Sequence, residues 1–343
     1  MAEVLVIRIS AIGDVAMTIP VIYSAANANP GDSFTVLTQT FLIPLFINRP
    51  PNVKMLGVDT KGSEKKLGRF LRYAFALAGQ HYDMVIDLHG VIRSRTIDLL
   101  FRLKGKRVFT IDKKRKKRKQ LTAKHPKMIA PLPAMTTCYA DVLHRAGFRF
   151  EDTFPSFFAR SEHIAPLPVS DEKKGRRIGV APFARHHGKI YPVDEMEKVI
   201  EHLSKQPDTT LFFFGGKGYE EAILSQWEYQ YPNTCCIAGR YSLVQELESL
   251  SRMDVLVSMD SANMHLASLV GTKVVSVWGA THPYAGFYGY KQNPDYAVQV
   301  ELPCRPCSVY GNKPCHRKDY ACLKQITPEQ IVEKINFALE TVF

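Results

Sequence analysis

The chain alternates strand-sized apolar runs with amphipathic helical segments, and it does so twice. In the first half this pattern predicts strands at 3–9, 33–38, 53–58, 83–88 and 106–110 and helices near 15–28, 65–79, 91–103 and 134–147. In the second half it predicts strands at 176–181, 209–214, 234–237, 254–258 and 273–278 and helices near 193–206, 217–230, 242–250 and 261–270. Such alternation favours parallel sheets covered on both faces. The sequence therefore predicts an α/β protein with two Rossmann-like domains facing across a cleft.

Domain boundaries follow from the same pattern, since 343 residues suffice for two domains. We expect an N-terminal domain at 1–165 and a C-terminal domain at 172–325, with a linker within 152–170. A last helix within 326–343 begins at Thr327, which is followed by Pro328 and by Gln330 at the third helical position. Ligands of open α/β sheets bind outside the carboxyl ends of the strands. We therefore expect the site in strand-to-helix turns of both halves.

The composition predicts a protein that stays in the cytoplasm. The longest apolar runs, such as 211–214 and 274–278, are strand-sized and too short to span a bilayer. The apolar stretch 4–9 lacks the basic flank of a signal peptide. Seven cysteines, an odd number, favour a reducing compartment over a disulfide framework.

The formal net charge of +12 is concentrated in one stretch, 104–127, which contains twelve Lys or Arg and one Asp. Such a patch indicates an anionic partner that is met at one place; the alternative interpretation is a solvated loop. Phe109 is the only Phe, Tyr or Trp of the stretch, so it offers few aromatic side chains on which nucleic-acid bases could stack. Nucleic acid is therefore disfavoured as the partner.

The first strand-to-helix turn, 8–15, contains a single glycine, Gly13. It therefore lacks the G-x-G-x-x-G fingerprint of a dinucleotide site, which argues against a dehydrogenase. Asp14 lies near the start of the helix, at the expected cleft. Two interpretations stay open for Asp14: a functional carboxylate, or the N-cap of the helix.

The turn at 259–267 follows a predicted strand and opens a helix. Free N–H groups at a helix start suit a phosphate. Asp260 or Ser261 is placed to cap this helix, and His265 lies one turn inside. Ordinary capping, with His265 as a core residue, is the alternative.

Two further turns of the second half have the composition of a phosphate site. Lys189 follows the first strand there and can act as a point charge for a diphosphate. Gly215 and Gly216 follow an apolar strand and permit a ligand to approach the backbone closely. The alternatives are a surface lysine and a plain turn.

Four cysteines lie within 19 residues near the end of the chain: Cys304, Cys307, Cys315 and Cys322. They match the ligand chemistry of a structural zinc site, and free thiols in a loop are the alternative. At the active centre we expect no metal, because the chain contains no Asp-x-Asp pair to hold Mg²⁺ on a sugar nucleotide.

These motifs together resemble glycosyltransferase family 9, the ADP-heptose:lipopolysaccharide heptosyltransferases. The opening pattern R-x-S-x-x-G-D is present here as Arg8, Ser10, Gly13 and Asp14. The segment 87–90, with Arg93 and Ser94 after it, resembles the acceptor-side segment of the family. The second half matches at Lys189, at the glycine turn, at 260–267, in the cysteine-rich tail and at 326–328. Ala262 replaces a frequent Gly of the family and Tyr191 a frequent Trp, while the basic stretch has no match.

The resemblance implies a GT-B type fold and a metal-independent, inverting transfer of heptose from ADP-heptose to the inner core on lipid A. It implies that Asp14 is the catalytic base. The donor contacts are then Ser10, Gly13, Lys189, Gly215, Gly216, Asp260, Ser261, Ala262 and His265. To the acceptor we assign Arg93 and Ser94, together with Lys113 and Arg115 of the basic stretch. No cofactor is required, and the enzyme is expected at the cytoplasmic face of the inner membrane. The alternative is an epimerase-like sugar-nucleotide enzyme of the same fold.

Overall fold

The structure is a computed structural model that describes residues 1–124, 126–158 and 175–341. The chain divides into two units. Unit 1 comprises Met1–Arg115 and Pro133–Pro155, and unit 2 comprises Lys116–Leu132 and Ser156–Phe343. The expected domain boundaries at residues 165 and 172, and residues 159–170 of the expected linker, lie outside the described residues.

Unit 1 is built on a parallel sheet. Its strands are β1 (Glu3–Ile7), β2 (Ser33–Gln39), β3 (Val53–Val58), β4 (Met84–Asp87) and β5 (Arg107–Thr110). Its helices are α1 (Ile12–Ala16), α2 (Ile19–Ala28), α3 (Leu67–Ala78), α4 (Ile92–Leu103) and α6 (Met135–Ala146), whereas α5 (Arg115–Leu121) belongs to unit 2 from Lys116 onward. The strand order is β3-β2-β1-β4-β5, and all pairs are parallel. Leu5 and Ile7 of β1 share one buried cluster with Phe70 of α3 and Phe101 of α4.

Unit 2 repeats this plan with a wider parallel sheet. Its strands are β6 (Arg176–Ala181), β7 (Thr209–Phe213), β8 (Thr234–Cys236), β9 (Val255–Met259), β10 (Lys273–Val277) and β11 (Ala297–Val298). Its helices are α7 (Val193–Ser204), α8 (Tyr219–Gln230), α9 (Leu243–Ser251), α10 (Ala262–Leu269), α11 (Ala321–Lys324) and α12 (Pro328–Glu340). The strand order is β11-β10-β9-β6-β7-β8. The prediction of two parallel α/β sheets is therefore confirmed.

The strand order contains a point of reversal in each sheet. In unit 1 the chain passes from β1 outward through β2 and β3, then returns to place β4 on the other side of β1. In unit 2 it passes from β6 through β7 and β8, then returns to place β9 beside β6. Such reversals leave a crevice at the carboxyl ends of the two central strands, where ligands of open sheets bind.

The predicted start of the last helix is confirmed, whereas the predicted helix near 15–28 is corrected. The Thr327 hydroxyl accepts from the Gln330 N–H, and the Gln330 amide oxygen accepts from the Thr327 N–H at 3.0 Å, which is a full capping box for α12. The single helix expected near 15–28 is instead two, α1 and α2. Pro20 lies in the first turn of α2, because proline lacks the N–H that a continuous helix needs there.

The basic stretch is neither a loop nor wholly solvated. Residues 115–121 form α5, and Arg118 is 6% exposed, with its guanidinium 4.5 Å from the ring centre of Phe287. The Lys127 ammonium donates to the carbonyls of Pro303 and Pro306 at 3.1 and 3.2 Å. The solvated-loop interpretation is therefore wrong for Arg118 and Lys127. The lysines of α5, by contrast, are exposed.

Candidate functional site

The turn after β1 holds Asp14 through an ion pair. Arg8 Nη2 lies 2.7 Å from Asp14 Oδ2, and the Arg8 side chain is 4% exposed whereas that of Asp14 is 27% exposed. The N-cap of α1 is Ala11, so Asp14 is the third helical residue. The interpretation of Asp14 as the N-cap is therefore wrong. Its carboxylate is a partly exposed group held by a buried cation at the crevice of unit 1.

Arg8 also joins β1 to the neighbouring strand. Its Nη1 donates to the carbonyl of Leu88, directly after β4, at 2.8 Å, and its guanidinium lies 5.7 Å from the ring centre of Tyr139. Burial lowers the pKa of Arg8, but Asp14 and Tyr139 more than offset this and raise it above its ordinary value. The guanidinium therefore stays charged and favours the ionised form of the Asp14 carboxylate.

The turn after β4 is organised by a buried carboxylate, Asp87. It accepts hydrogen bonds from the backbone N–H groups of His89 and Gly90 at 2.7 and 2.9 Å and from the Ser94 hydroxyl at 2.8 Å. Gly90 has a positive φ of 57°, which favours glycine. The hydroxyl of Ser94, an expected acceptor contact, therefore donates to Asp87 in this structure.

The other expected acceptor residues surround the same turn. The Arg115 Nη2 donates to the Gly90 carbonyl at 3.2 Å. The guanidinium of Arg93 lies 5.7 Å from the ring centre of Phe70. Burial and Arg8 together lower the pKa of Lys113 to about 8. The structure thus brings three of the expected cations to the turn after β4 or to the helix that follows it.

His89 lies among these cations. Burial, Arg8 and Lys113 lower the pKa of His89 to about 3, so its imidazole is neutral at physiological pH. Its Nδ1 is buried and has no hydrogen-bond partner within the described chain. His89 is therefore a neutral polar group among cations, and it belongs to the segment 87–90 that resembles the acceptor side of the family.

In unit 2 two of the expected donor residues, Lys189 and Asp260, meet at the crevice between β6 and β9. Lys189 lies in a short 3₁₀ turn, His187–Lys189, and Asp260 follows β9. Lys189 Nζ lies 2.8 Å from Asp260 Oδ2, with side-chain exposures of 16% and 4%. Neither segment indicates this pairing by itself, since it depends on β9 lying beside β6.

The start of α10 follows directly from this pair. Ser261 is its N-cap, and the Ser261 hydroxyl makes no capping bond to the helix; it lies 3.3 Å from the hydroxyl of Ser258. Ala262 begins the helix, and His265 is buried one turn further on. The first N–H groups of α10 therefore receive no acceptor from the N-cap side chain, which is the arrangement that suits a phosphate.

The glycine turn has a local structural use. The Glu220 carboxylate accepts from the Gly216 N–H at 2.6 Å, and a Cβ on Gly215 would lie 2.8 Å from a methyl carbon of Leu224. These glycines therefore let α8 begin close to β7.

Glu246 of α9 is a carboxylate that we did not predict. Burial raises the pKa of Glu246 to about 7.

The cysteine-rich tail packs next to Lys189. A Cβ on Gly311 would lie 2.6 Å from Lys189 Cγ, and the Ala280 N–H donates to the Gly188 carbonyl at 2.8 Å. The Cys307 N–H in turn donates to the Ala280 carbonyl at 3.1 Å. The loop around Gly311, between Cys307 and Cys315, therefore packs against an expected donor residue.

The four thiols of the tail share one neighbourhood. Burial raises the pKa of Cys322 to about 11, and Cys307, Cys304 and Cys315 contribute in the same direction. Across 1–124, 126–158 and 175–341, however, no three His, Cys, Asp or Glu side chains are arranged to hold a metal ion. The arrangement of the thiols therefore does not by itself show the expected zinc site.

Comparisons with known proteins bear on both units. A family model described as glycosyltransferase family 9 (heptosyltransferase) matches residues 70–317. The Lipooligosaccharide heptosyltransferase 2 of Campylobacter jejuni is 24% identical over 332 residues, which are 94% of this chain and 94% of that protein. A glycosyl transferase family 9 structure from Veillonella parvula has a TM-score of 0.74 and 17% identity, covering 98% of this chain and 97% of that one.

A further solved structure is the E. coli heptosyltransferase WaaC with ADP-2-deoxy-2-fluoro heptose, with a TM-score of 0.70 and 19% identity, covering 98% of this chain and 99% of that one. At such identities the structural likeness shows the fold, and it confirms the GT-B type that the resemblance implied. The family match spans well over half of the chain and includes the turns after β4, β6 and β9. The protein is a glycosyltransferase, and it belongs to glycosyltransferase family 9 (heptosyltransferase).

Proposed function

We propose that the enzyme transfers a heptose from ADP-heptose to the inner core of lipopolysaccharide, with inversion and without a metal at the reacting centre. The observation that carries this proposal is the partly exposed Asp14 carboxylate, held 2.7 Å from the buried Arg8 guanidinium at the crevice of unit 1. We propose heptose as the transferred sugar because the relatives are named heptosyltransferases. Unit 1 binds the acceptor and unit 2 the sugar nucleotide.

The donor contacts that we propose lie in unit 2. The N–H groups at the start of α10, from Ser261 and Ala262 onward, face a diphosphate, and Lys189 adds a positive charge. Asp260 orients the Lys189 ammonium through the 2.8 Å ion pair. We also assign His265, Gly215 and Gly216 of unit 2 to the donor, together with Ser10 and Gly13 of unit 1.

The reaction that we propose is a direct displacement at the anomeric carbon. Asp14 takes the proton of the acceptor hydroxyl as its oxygen forms the new glycosidic bond. The bond from the anomeric carbon to the diphosphate oxygen breaks, and ADP leaves with the additional negative charge. The α10 N-terminus and Lys189 stabilise that charge, and the loss of one such group costs on the order of 3 kcal/mol of barrier.

The acceptor is anionic, and the cations of unit 1 are the groups we assign to it. Lys113 is a half-buried ammonium, and Arg8 lies near enough to lower its pKa. An acidic group of the acceptor relieves this repulsion between like charges. Arg115 and Arg93 extend the positive surface, and Ser94 acts through Asp87 by holding the turn.

Contact with the membrane is a separate part of the proposal. No helix within the described ranges is both long and apolar enough to cross a bilayer. The exposed lysines of α5, Lys116, Lys117 and Lys119, are suited to meet an anionic surface, where each contributes ~1 kcal/mol. We propose a peripheral enzyme at the cytoplasmic face of the inner membrane.

The experiment that tests the transfer is an incubation of the purified full-length chain with ADP-heptose and a core-truncated lipopolysaccharide acceptor. Mass spectrometry should show an acceptor that has gained one heptose, together with one ADP released per transfer. An altered free sugar nucleotide and an unchanged acceptor would support the epimerase-like alternative instead. Chelator in the assay should leave the rate of transfer unchanged at early times, before any loss of structure.

A further inference from the structure

The outer face of α3 and α4 exposes large apolar side chains. On α3, Leu67 and Phe75 are 71% and 61% exposed, and on α4, Ile92, Leu99 and Leu103 are 87%, 56% and 75% exposed. Single exposed leucines are ordinary on a protein surface. Three such side chains on α4, with two more on the adjacent α3, are an accumulation of the kind that marks an interaction site.

The exposed apolar residues of α4 form one stripe. Ile92, Leu99 and Leu103 stand at positions i, i+7 and i+11 of α4, on the side of the helix opposite the buried Ile97 and Phe101. On α3, Leu67 is exposed at the first helical position and Phe75 at the edge of the buried face. The two helices pack against each other and bury their opposite faces in the same apolar cluster. The stripe of α4 therefore points away from the sheet.

Both helices also expose cations. Arg69 and Arg72 are exposed on α3, and Arg95 and Arg102 are exposed on α4. The structure describes both helices in full; α3 contains no Asp or Glu, and the single acid of α4, Asp98, is buried. The face thus presents apolar groups and positive charge with no exposed carboxylate from either helix.

Exposed apolar side chains together with positive charge favour a membrane over a nucleic acid or a second copy of the chain. A nucleic acid is read by stacking on aromatic side chains, and four of the five apolar residues here are aliphatic. A second copy that used the same face would place arginines opposite arginines around a two-fold axis. An anionic bilayer accepts both features, because apolar side chains enter the headgroup boundary while Arg and Lys meet lipid phosphates.

We propose that the outer face of α3 and α4 docks unit 1 onto an anionic phospholipid bilayer, with Leu99 and Leu103 among the side chains that enter it. This surface is distinct from the lysines of α5. Its N-terminal end adjoins the proposed acceptor residues, since Ile92 follows Gly90 by two positions and that turn is held by Asp87. Membrane docking by this face would bring a lipid-linked acceptor to the turn after β4. The presentation of the acceptor rests on the proposed function, whereas the binding of this face to a bilayer does not.

The test is co-sedimentation of the full-length chain with vesicles of phosphatidylcholine alone or mixed with phosphatidylglycerol, without substrates. Wild type should bind the anionic vesicles, and binding should weaken with salt. We expect Leu99→Ser/Leu103→Ser to bind roughly tenfold more weakly or worse. The matched control is Tyr219→Ser/Tyr229→Ser on α8, where the side chains are 73% and 94% exposed, and it should bind like wild type.

Two further variants keep the test decisive. Arg95→Gln/Arg102→Gln leaves the apolar stripe intact and should reduce binding to anionic vesicles with a shallower salt dependence, so it replaces the serine variant if that one fails to fold. Lys116→Gln/Lys117→Gln/Lys119→Gln measures the separate contribution of α5. Unchanged vesicle binding by both the serine and the glutamine variants of α4 would overturn the proposal. So would a wild-type dimer in light scattering that Leu99→Ser/Leu103→Ser dissociates, or RNA binding that the same variant abolishes.

A water-soluble acceptor without acyl chains separates this inference from the proposed function. Leu99→Ser/Leu103→Ser should transfer to that acceptor at the wild-type rate while losing most transfer to vesicle-embedded acceptor. If wild type itself transfers to neither acceptor, the proposed function fails, and the vesicle-binding result still decides the docking surface.

Discussion

The buried Arg8 guanidinium forms an ion pair with the partly exposed Asp14 carboxylate, with 2.7 Å between Nη2 and Oδ2. The pair lies at the point where the sheet of unit 1 reverses its strand order. The same guanidinium donates to the carbonyl of Leu88 at 2.8 Å, so one side chain links the ends of β1 and β4. Asp14 is thereby held in position without capping its helix. This arrangement is what the proposed general base requires: an ionised, oriented and accessible carboxylate.

The first prediction concerns Asp14→Asn. The amide keeps an oxygen for Arg8 to bond but cannot accept a proton, so turnover should fall roughly 10²–10⁴-fold. The loss of the counter-charge to Arg8 should lower Tm modestly, while calorimetry should show donor affinity near wild type. Near-normal turnover would falsify the assignment of Asp14 and direct attention to His265 or Asp260.

The second prediction separates the structural from the binding role of Lys189. Lys189→Met leaves the buried Asp260 carboxylate without its counter-ion, and unfolding free energy should fall by on the order of 2 kcal/mol. Lys189→Met/Asp260→Asn removes both charges, so stability should recover in denaturant titrations. ADP binding, measured by calorimetry, should stay weak in both variants. Recovered ADP binding in the double variant would contradict a role for Lys189 in holding the diphosphate.

The third prediction is a pH dependence that originates in Lys113. Burial and Arg8 lower its pKa to about 8, so its positive charge is present below that pH and is lost as the pH rises through it. KM for an anionic acceptor should therefore increase above pH 8, while KM for the donor stays level. Lys113→Arg keeps its charge throughout and should flatten the acceptor profile. An identical rise in KM for Lys113→Arg would assign the effect to another group.

The fourth prediction concerns the stability of unit 1. Burial and the neighbouring Asp87 carboxylate raise the pKa of Asp98 to about 8, so the folded chain retains a proton that the unfolded chain has lost above pH ~4. This contribution to stability is complete at low pH and declines as the pH rises from about 4 to 8. Asp98→Asn lacks a titrating group there, so its Tm should decline less than wild type between pH 5 and 9. Parallel Tm curves would contradict the shifted pKa.

The fifth prediction concerns the cysteine-rich tail, for which structural zinc stays a prediction. Elemental analysis of chain purified without chelator should show about one zinc per chain if the four thiols close around a metal. Chelation should then lower Tm, and it should also weaken ADP binding, because Gly311 packs against the Lys189 side chain. Absence of metal together with an unchanged Tm would leave the free-thiol interpretation.

Local patterns in the sequence were sufficient for most elements. The apolar run of β1 is buried over Val4–Ile7, as a central parallel strand requires, and the Thr327–Gln330 pair caps α12. The segment 15–28, expected as one helix, is divided between α1 and α2, because Pro20 cannot donate the N–H that a continuous helix needs. The helix of the basic stretch was missed, since a run of like charges has no apolar periodicity from which to predict it.

The sequence by itself therefore determined the alternation of strands and helices and the residue types at each turn. Only the tertiary structure decided which turns meet: β4 returns beside β1, which brings Leu88 to Arg8, and β9 returns beside β6, which brings Asp260 to Lys189. The physical reason is the sequence separation over which each kind of interaction acts. Capping and burial period depend on neighbours within a few residues, whereas strand order depends on packing between segments that are distant in the chain. For the same reason, only the packed sheet shows which faces of α3 and α4 are left exposed.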